Sequence, residues 1–170
     1  MNKKTNIVLI GMPGVGKSTA GVVLAKVGGY QFVDADLLIQ KAEGKKLSQI
    51  IEEAGVDGFI EVENRVNASI RAKNSVIATG GSVVYGEAAM KHLRNIGTVV
   101  YLQTSYRILS NRLRNLKSRG VVLREGQTLK SLYDERIPLY EKYADIVVNL
   151  DHLGVEETVE CILDKISSMS

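Results

Sequence analysis

The chain has 170 residues, enough for one domain with its own hydrophobic core and too few for an ATP-driven motor or transporter module. With 45% hydrophobic and 24% charged residues the composition is that of a globular protein, and a net charge of +3 is too mild to point to a nucleic-acid partner. A single cysteine, Cys161, excludes an intramolecular disulfide framework and suits a reducing cytoplasm; no apolar run is long enough for a signal peptide or a membrane span.

In chain order, "NIVLI" (6–10) predicts a first strand and residues 17–27 the helix after it, which stops at Gly28 and Gly29. "YQFVDAD" predicts a second strand ending at Asp34 to Asp36, with "SVIATGG", "GTVVYLQ" and "ADIVVNL" as the third, fourth and fifth. These runs are continuously apolar and β-branched instead of alternating, which indicates a parallel sheet covered on both faces and an α/β doubly wound fold. Functional groups then belong at the carboxyl ends of the strands. Near the C-terminus, Val155, Val159, Ile162 and Ile166 share one helical face that packs on the sheet, with Cys161 read as a buried, inert thiol. His92 and His152 have no partner at metal-ligand spacing and are read as surface residues.

Between the first strand and its helix lies "GMPGVGKST", a match to G-x-x-x-x-G-K-[ST] in the strand-to-helix context that motif requires. Gly11, Gly14 and Gly16 let successive backbone N–H groups point inward at phosphate oxygens, helped by the positive end of the helix dipole. Lys17 is placed to reach the β- and γ-phosphates and the Ser18 hydroxyl to ligate Mg²⁺; Val15 and Thr19 complete the nucleotide-binding set. No N-K-x-D is present to read guanine, so the phosphate chain belongs to a small-molecule kinase rather than a GTPase switch.

Asp34 and Asp36 stand two apart at the end of the second strand. If both leave it extended, their side chains serve opposite faces: Asp34 the metal, Asp36 an acceptor hydroxyl and its proton. The competing reading makes Asp36 the N-cap of a helix from Leu37. After the third strand, Thr79, Gly80 and Gly81 open bare backbone to a ligand. A basic segment, residues 115–126, reads as a mobile lid that excludes water, and Arg119 within it and Arg136 in "ERIPLYEKYAD" read as anion contacts.

Taken together, "GMPGVGKSTAG", "VDAD", "GF..E", "VIATGG", a lid arginine and "R.PLY...AD" resemble the shikimate kinase family nearly end to end. The resemblance implies a single P-loop kinase domain over residues 1–170: a three-layer sandwich with a five-stranded parallel sheet in the order 2-3-1-4-5 and an acceptor-binding helical region at 34–72. It implies transfer of the γ-phosphoryl group of ATP, with Mg²⁺, to the 3-hydroxyl of shikimate in a monomeric enzyme. Lys17, Asp36 and Arg119 would be catalytic, Arg112 would lie near the adenine, and Ser18 and Asp34 would hold the metal. Asp36, Glu63, Gly80, Gly81 and Arg136 would form the acceptor site, with Arg136 on the substrate carboxylate.

Three departures fall on the acceptor side. Ile60 stands where the family pattern has an arginine that shares the substrate carboxylate, leaving Glu63 one helical turn away without its usual partner. Arg65, five positions on, points about 140° away and cannot substitute. Losing one of two such charges costs on the order of 2–5 kcal/mol of binding. Ser82 replaces the third of three consecutive glycines, and Gly120 replaces the proline after the lid arginine. Two other readings stay open: a kinase of a different small hydroxy acid or polyol, and a nucleotide-binding sensor that no longer transfers phosphate.

Overall fold

The computed structural model describes residues 4–113, 121 and 123–169. Arg119, Gly120 and most of the segment expected to form a lid (115–126) therefore lie outside the described residues. The strands are β1 (Asn6–Ile10), β2 (Gln31–Asp34), β3 (Ser75–Ala78), β4 (Gly97–Gln103) and β5 (Ile146–Asn149). All are parallel, in the order β2-β3-β1-β4-β5. The helices are α1 (Lys17–Gly28), α2 (Ala35–Glu43), α3 (Leu47–Ala68), α4 (Glu87–Ile96), α5 (Tyr106–Arg112), α6 (Leu129–Tyr143) and α7 (Val155–Ser168), with one 3₁₀ turn at Val83–Tyr85.

Every residue of β1 and β3 is buried, which requires helices above and below the sheet. α1 packs against α7, and α3 packs against α2 and α4. A small second core of Ile39, Ile50, Phe59 and Val66 locks α2 to α3. α3 is broken at Gly55, whose φ of 74° and ψ of 179° are non-helical. α1 ends as its glycine pair predicts, at Gly29 in the left-handed conformation.

Three details differ from the sequence reading. α2 begins at Ala35, so Asp36 sits on a helix, not in extended chain; the cap is Asp34, whose Oδ1 accepts from the N–H groups of Asp36 (2.9 Å) and Leu37 (3.3 Å). Short carboxylates satisfy the first free amides of a helix well, and here that local bond ends the strand two residues early. Val155 is 41% exposed because it begins α7, while Val159 and Ile162 carry the packed face beside a half-buried Cys161. His92 is half-buried, its Nε2 2.6 Å from the Ile70 carbonyl.

Asn6 ties the amino ends of the strands together. Its Nδ2 donates to the carbonyls of Ala72 (2.8 Å) and Ile96 (3.0 Å), and its Oδ1 accepts from the Ser75 N–H (3.0 Å). Asn6→Ala leaves the buried Ser75 N–H and two half-buried carbonyls without their partner and should cost about 1–3 kcal/mol, read as a lower urea midpoint at unchanged m-value.

Candidate functional site

A cavity of about 330 Å³ opens at the carboxyl ends of β1, β2 and β3. One wall is the loop before α1. Gly14 and Gly16 have φ of 84° and 96°, which side-chain-bearing residues rarely adopt, and a Cβ on Gly14 would lie 2.5 Å from Leu113 Cδ2. Gly16 is the N-cap of α1 with open space around it, so the free amides of the first turn face the cavity. This is an anion cradle.

Lys17 opens α1 yet is only 8% exposed. Its Nζ donates to the carbonyls of Gly11 (2.8 Å) and Met12 (2.9 Å), which holds the ammonium within the loop. Burial lowers its pKa to about 8, partly opposed by the Asp36 carboxylate. An anion in the cradle would restore the charged form. Ser18 and Thr19 are exposed and line the same wall. Val15 is buried beneath it, and Arg112, exposed in the last turn of α5, precedes the Leu113 that packs on Gly14.

The opposite wall is built from α2, α3, α6 and the turn after β3. Asp36 reaches the cavity from the first turn of α2, its pKa raised by burial and by Asp34 and pulled back by Lys17. Glu63 is 1% exposed and Arg136 2% exposed. Arg136 stacks over the Tyr85 ring at 5.4 Å, with Nε 3.4 Å from the Tyr85 hydroxyl. A Cβ on Gly81 would lie 2.7 Å from Pro13 Cδ and 2.9 Å from Arg136 Nη1, so only a glycine lets the phosphate loop and the guanidinium meet.

Of the two acceptor-side departures among the described residues, Ser82 contacts Glu63 and Ile60 lies outside the cavity. Ser82 donates its hydroxyl hydrogen bond to Glu63 Oε1 at 2.5 Å, while Glu63 Oε2 has no partner among the described residues. Ile60 is half-buried and does not line the cavity, and Arg65 pairs with Glu43 on the outside. Burial raises the Glu63 pKa to about 7; the Ser82 bond opposes the shift and the charge of Asp36 adds to it.

Sequence reasoning missed Tyr85, Ser82 as a partner of Glu63, and Tyr140. Tyr140 is fully buried, donates to the Gly81 carbonyl at 2.6 Å and stacks on Tyr101 at 5.1 Å. The available signal was its spacing: Arg136 and Tyr140 are four apart and share a face of α6.

The site is suited to polyanions at one wall and to a small polar molecule at the other. Among the described residues, no group of three or more His, Cys, Asp or Glu side chains is placed to hold a metal by itself. The Ser18 hydroxyl and the carboxylate of Asp34 are oxygen donors of the kind a hard divalent cation takes when bound phosphate completes its shell.

Comparison with known proteins agrees across the whole chain. The family model described as shikimate kinase matches residues 13–167. A shikimate kinase of Thermodesulfovibrio yellowstonii is 37% identical over 168 residues, covering 97% of this chain and 96% of its own. A structure of shikimate kinase from Acinetobacter baumannii in complex with shikimate has a TM-score of 0.87 at 32% identity, covering 98% of this chain and 94% of that one. The structure from Aquifex aeolicus has a TM-score of 0.77 at 32% identity, covering 96% and 97%.

Glu63 also makes stability depend on pH. Its folded pKa of about 7 lies above the ordinary 4.5, so the folded chain keeps a proton that the unfolded chain releases between those values. The associated stability is present below pH 4.5 and lost as pH rises through 7, on the order of 3 kcal/mol. Without nucleotide, Glu63→Gln should therefore unfold at higher urea than the parent at pH 8, with the gap closing towards pH 4.5. Parallel curves would remove Glu63 as the responsible group.

Proposed function

The chain belongs to the shikimate kinase family, and we propose that it transfers the γ-phosphoryl group of ATP to the 3-hydroxyl of shikimate, a step of aromatic amino-acid biosynthesis. The observation that carries this reading is the meeting of the phosphate loop and Arg136 at Gly81, with Asp36 and Glu63 against the adjacent Gly80. Nucleotide and acceptor walls are thus contiguous, and a phosphoryl group passing between them need not cross water.

Asp36 orients the acceptor hydroxyl and takes its proton as the oxygen bonds to the γ-phosphorus and the bond to the β-phosphate oxygen breaks. Burial has raised its proton affinity, which suits that task. Lys17 turns from the loop carbonyls to the β- and γ-phosphates, where its charge offsets what develops on the transferring group. Gly11, Gly14, Val15, Gly16 and Thr19 hold the phosphate chain through backbone and hydroxyl, and Arg112 lies by the adenine. Arg119 completes the charge stabilisation from a lid at 115–126. Magnesium, held by Ser18 and through Asp34, would neutralise phosphate oxygens when bound.

Arg136 binds the shikimate carboxylate alone where the family pattern supplies two arginines, because Ile60 brings no charge. The working unit is a single chain in a reducing cytoplasm; among the described residues, no helix is long and apolar enough to cross a membrane.

Coupled ADP release with shikimate and ³¹P NMR of the product test the assignment. Lys17→Met should lower kcat by at least about 100-fold, and undiminished turnover would overturn the mechanism. Ile60→Arg should lower the shikimate KM or leave it unchanged. Weak shikimate turnover by both forms, beside faster turnover of another hydroxy acid or polyol, would reassign the acceptor; tight ATP binding with no acceptor-stimulated turnover would make the protein a sensor.

A further inference from the structure

Arg136 is a buried cation without an acid. It lies almost wholly inside the protein, and among the described residues it takes part in no ion pair. A guanidinium so placed is costly unless its surroundings compensate it, and its long stem leaves its plane undefined unless something rigid fixes it. The Tyr85 ring supplies that surface. The guanidinium carbon stands 5.4 Å from the ring centroid, and Nε donates a long hydrogen bond to the Tyr85 hydroxyl at 3.4 Å. Nη1 is directed to the turn after β3, 2.9 Å from where a Gly81 Cβ would stand. Tyr85 is itself presented stiffly by the 3₁₀ turn. Its N–H donates to the Ser82 carbonyl at 3.1 Å, the Gly86 N–H donates to the Val83 carbonyl at 2.9 Å, and Val83 and Val84 are sunk in the core. Tyr85 does not line the cavity, so phosphoryl transfer gives it no direct work.

We propose that Tyr85 is a positioning residue, whose ring and hydroxyl fix the plane of the Arg136 guanidinium so that its terminal nitrogens meet the anionic group of the acceptor. With Nε engaged by Tyr85, the Nη1 and Nη2 fork is what the guanidinium offers a ligand. A two-bond contact with a carboxylate needs that fork in the carboxylate's own plane, and a guanidinium turned out of it loses one bond of the two. An aromatic face holds a cation without cancelling its charge, as a carboxylate partner would. Because Ile60 supplies no second guanidinium, the anion's binding depends on the aim of this single side chain. Tyr85 thereby fixes where one charge points instead of adding another. This inference rests on the kinase reading, with Arg136 on the acceptor's carboxylate, and adds the residue through which that contact is aimed.

The test is steady-state kinetics with shikimate and with its methyl ester, which is uncharged at that group. Tyr85→Leu should raise the shikimate KM about tenfold, change kcat less than about twofold and leave the ATP KM unaltered. The kcat/KM for the ester should change less than about twofold, because a neutral group gains little from the aim of a cation. Where the ester is too poor a substrate, its dissociation constant by calorimetry is compared in the same way. Tyr85→Phe keeps the ring and should raise the shikimate KM about threefold or less. In an Ile60→Arg background, where a second guanidinium shares the carboxylate, the effect of Tyr85→Leu should shrink to about threefold or less. If Tyr85→Leu does not fold, Tyr85→Met fills similar space without a ring and is read identically. An unchanged shikimate KM, equal losses on acid and ester, or an undiminished loss in the Ile60→Arg background would each overturn the proposal while leaving the kinase reading intact. A parent that turns over no shikimate would instead sink the acceptor assignment. The comparison then moves to the acid it does use and that acid's ester, and a preferred acceptor with no anionic group overturns this proposal as well.

Discussion

Two cations and two acids, Lys17, Arg136, Asp36 and Glu63, line one cavity at the carboxyl ends of the strands, and their mutual compensation is the constraint around which the site is organised. Isolated charges at such burial would be neutralised or expelled. Lys17 is lowered by burial and raised by Asp36; Glu63 is raised by burial and lowered by Arg136 and Lys17. Lys17, Asp36 and Glu63 therefore sit closer to their ionisation points than they would in water, where small changes in ligand charge alter protonation. The same balance joins the phosphate wall to the acceptor wall: whatever adds negative charge beside Lys17 also acts on Asp36 and Glu63.

Close approach makes this balance possible. Gly80 admits two carboxylate oxygens and Gly81 admits a guanidinium and a proline ring, within distances no side chain would allow. Tyr140 secures the Gly81 carbonyl from a fully buried position braced by Tyr101, so the turn after β3 is fixed from α6. The core of α2 and α3 does the same for Asp36 and Glu63, keeping the acid wall on helices rather than loops.

The departures from the family pattern become intelligible once the wall is seen whole. Ile60 removes a cation that would have compensated Glu63, and Ser82 supplies a hydroxyl donor to the same carboxylate. A neutral donor satisfies one oxygen without cancelling the charge, so the acceptor wall is left more negatively charged and more easily protonated. Arg65, the nearest cation by sequence, is engaged with Glu43 on the far side of α3.

Features read directly from the residues were those in which the interacting groups are close in sequence. The phosphate cradle spans contiguous residues, and its strand-to-helix setting is written in the neighbouring runs. Buried parallel strands follow from unbroken β-branched stretches, and the end of α1 from its glycine pair. The sheet order came from family resemblance, because pairing between β1 and β4 joins residues as far apart in the chain as Asn6 and Gly97, which no local pattern links. Asp34 and Asp36 were misplaced because extension and capping compete for the same short carboxylate, and only the geometry of the following helix decides. Ser82 meets Glu63 across nineteen residues and Tyr140 meets Gly81 across fifty-nine. Those bonds exist because the sheet and α6 bring distant backbone into register; proximity in space, not residue type, made them.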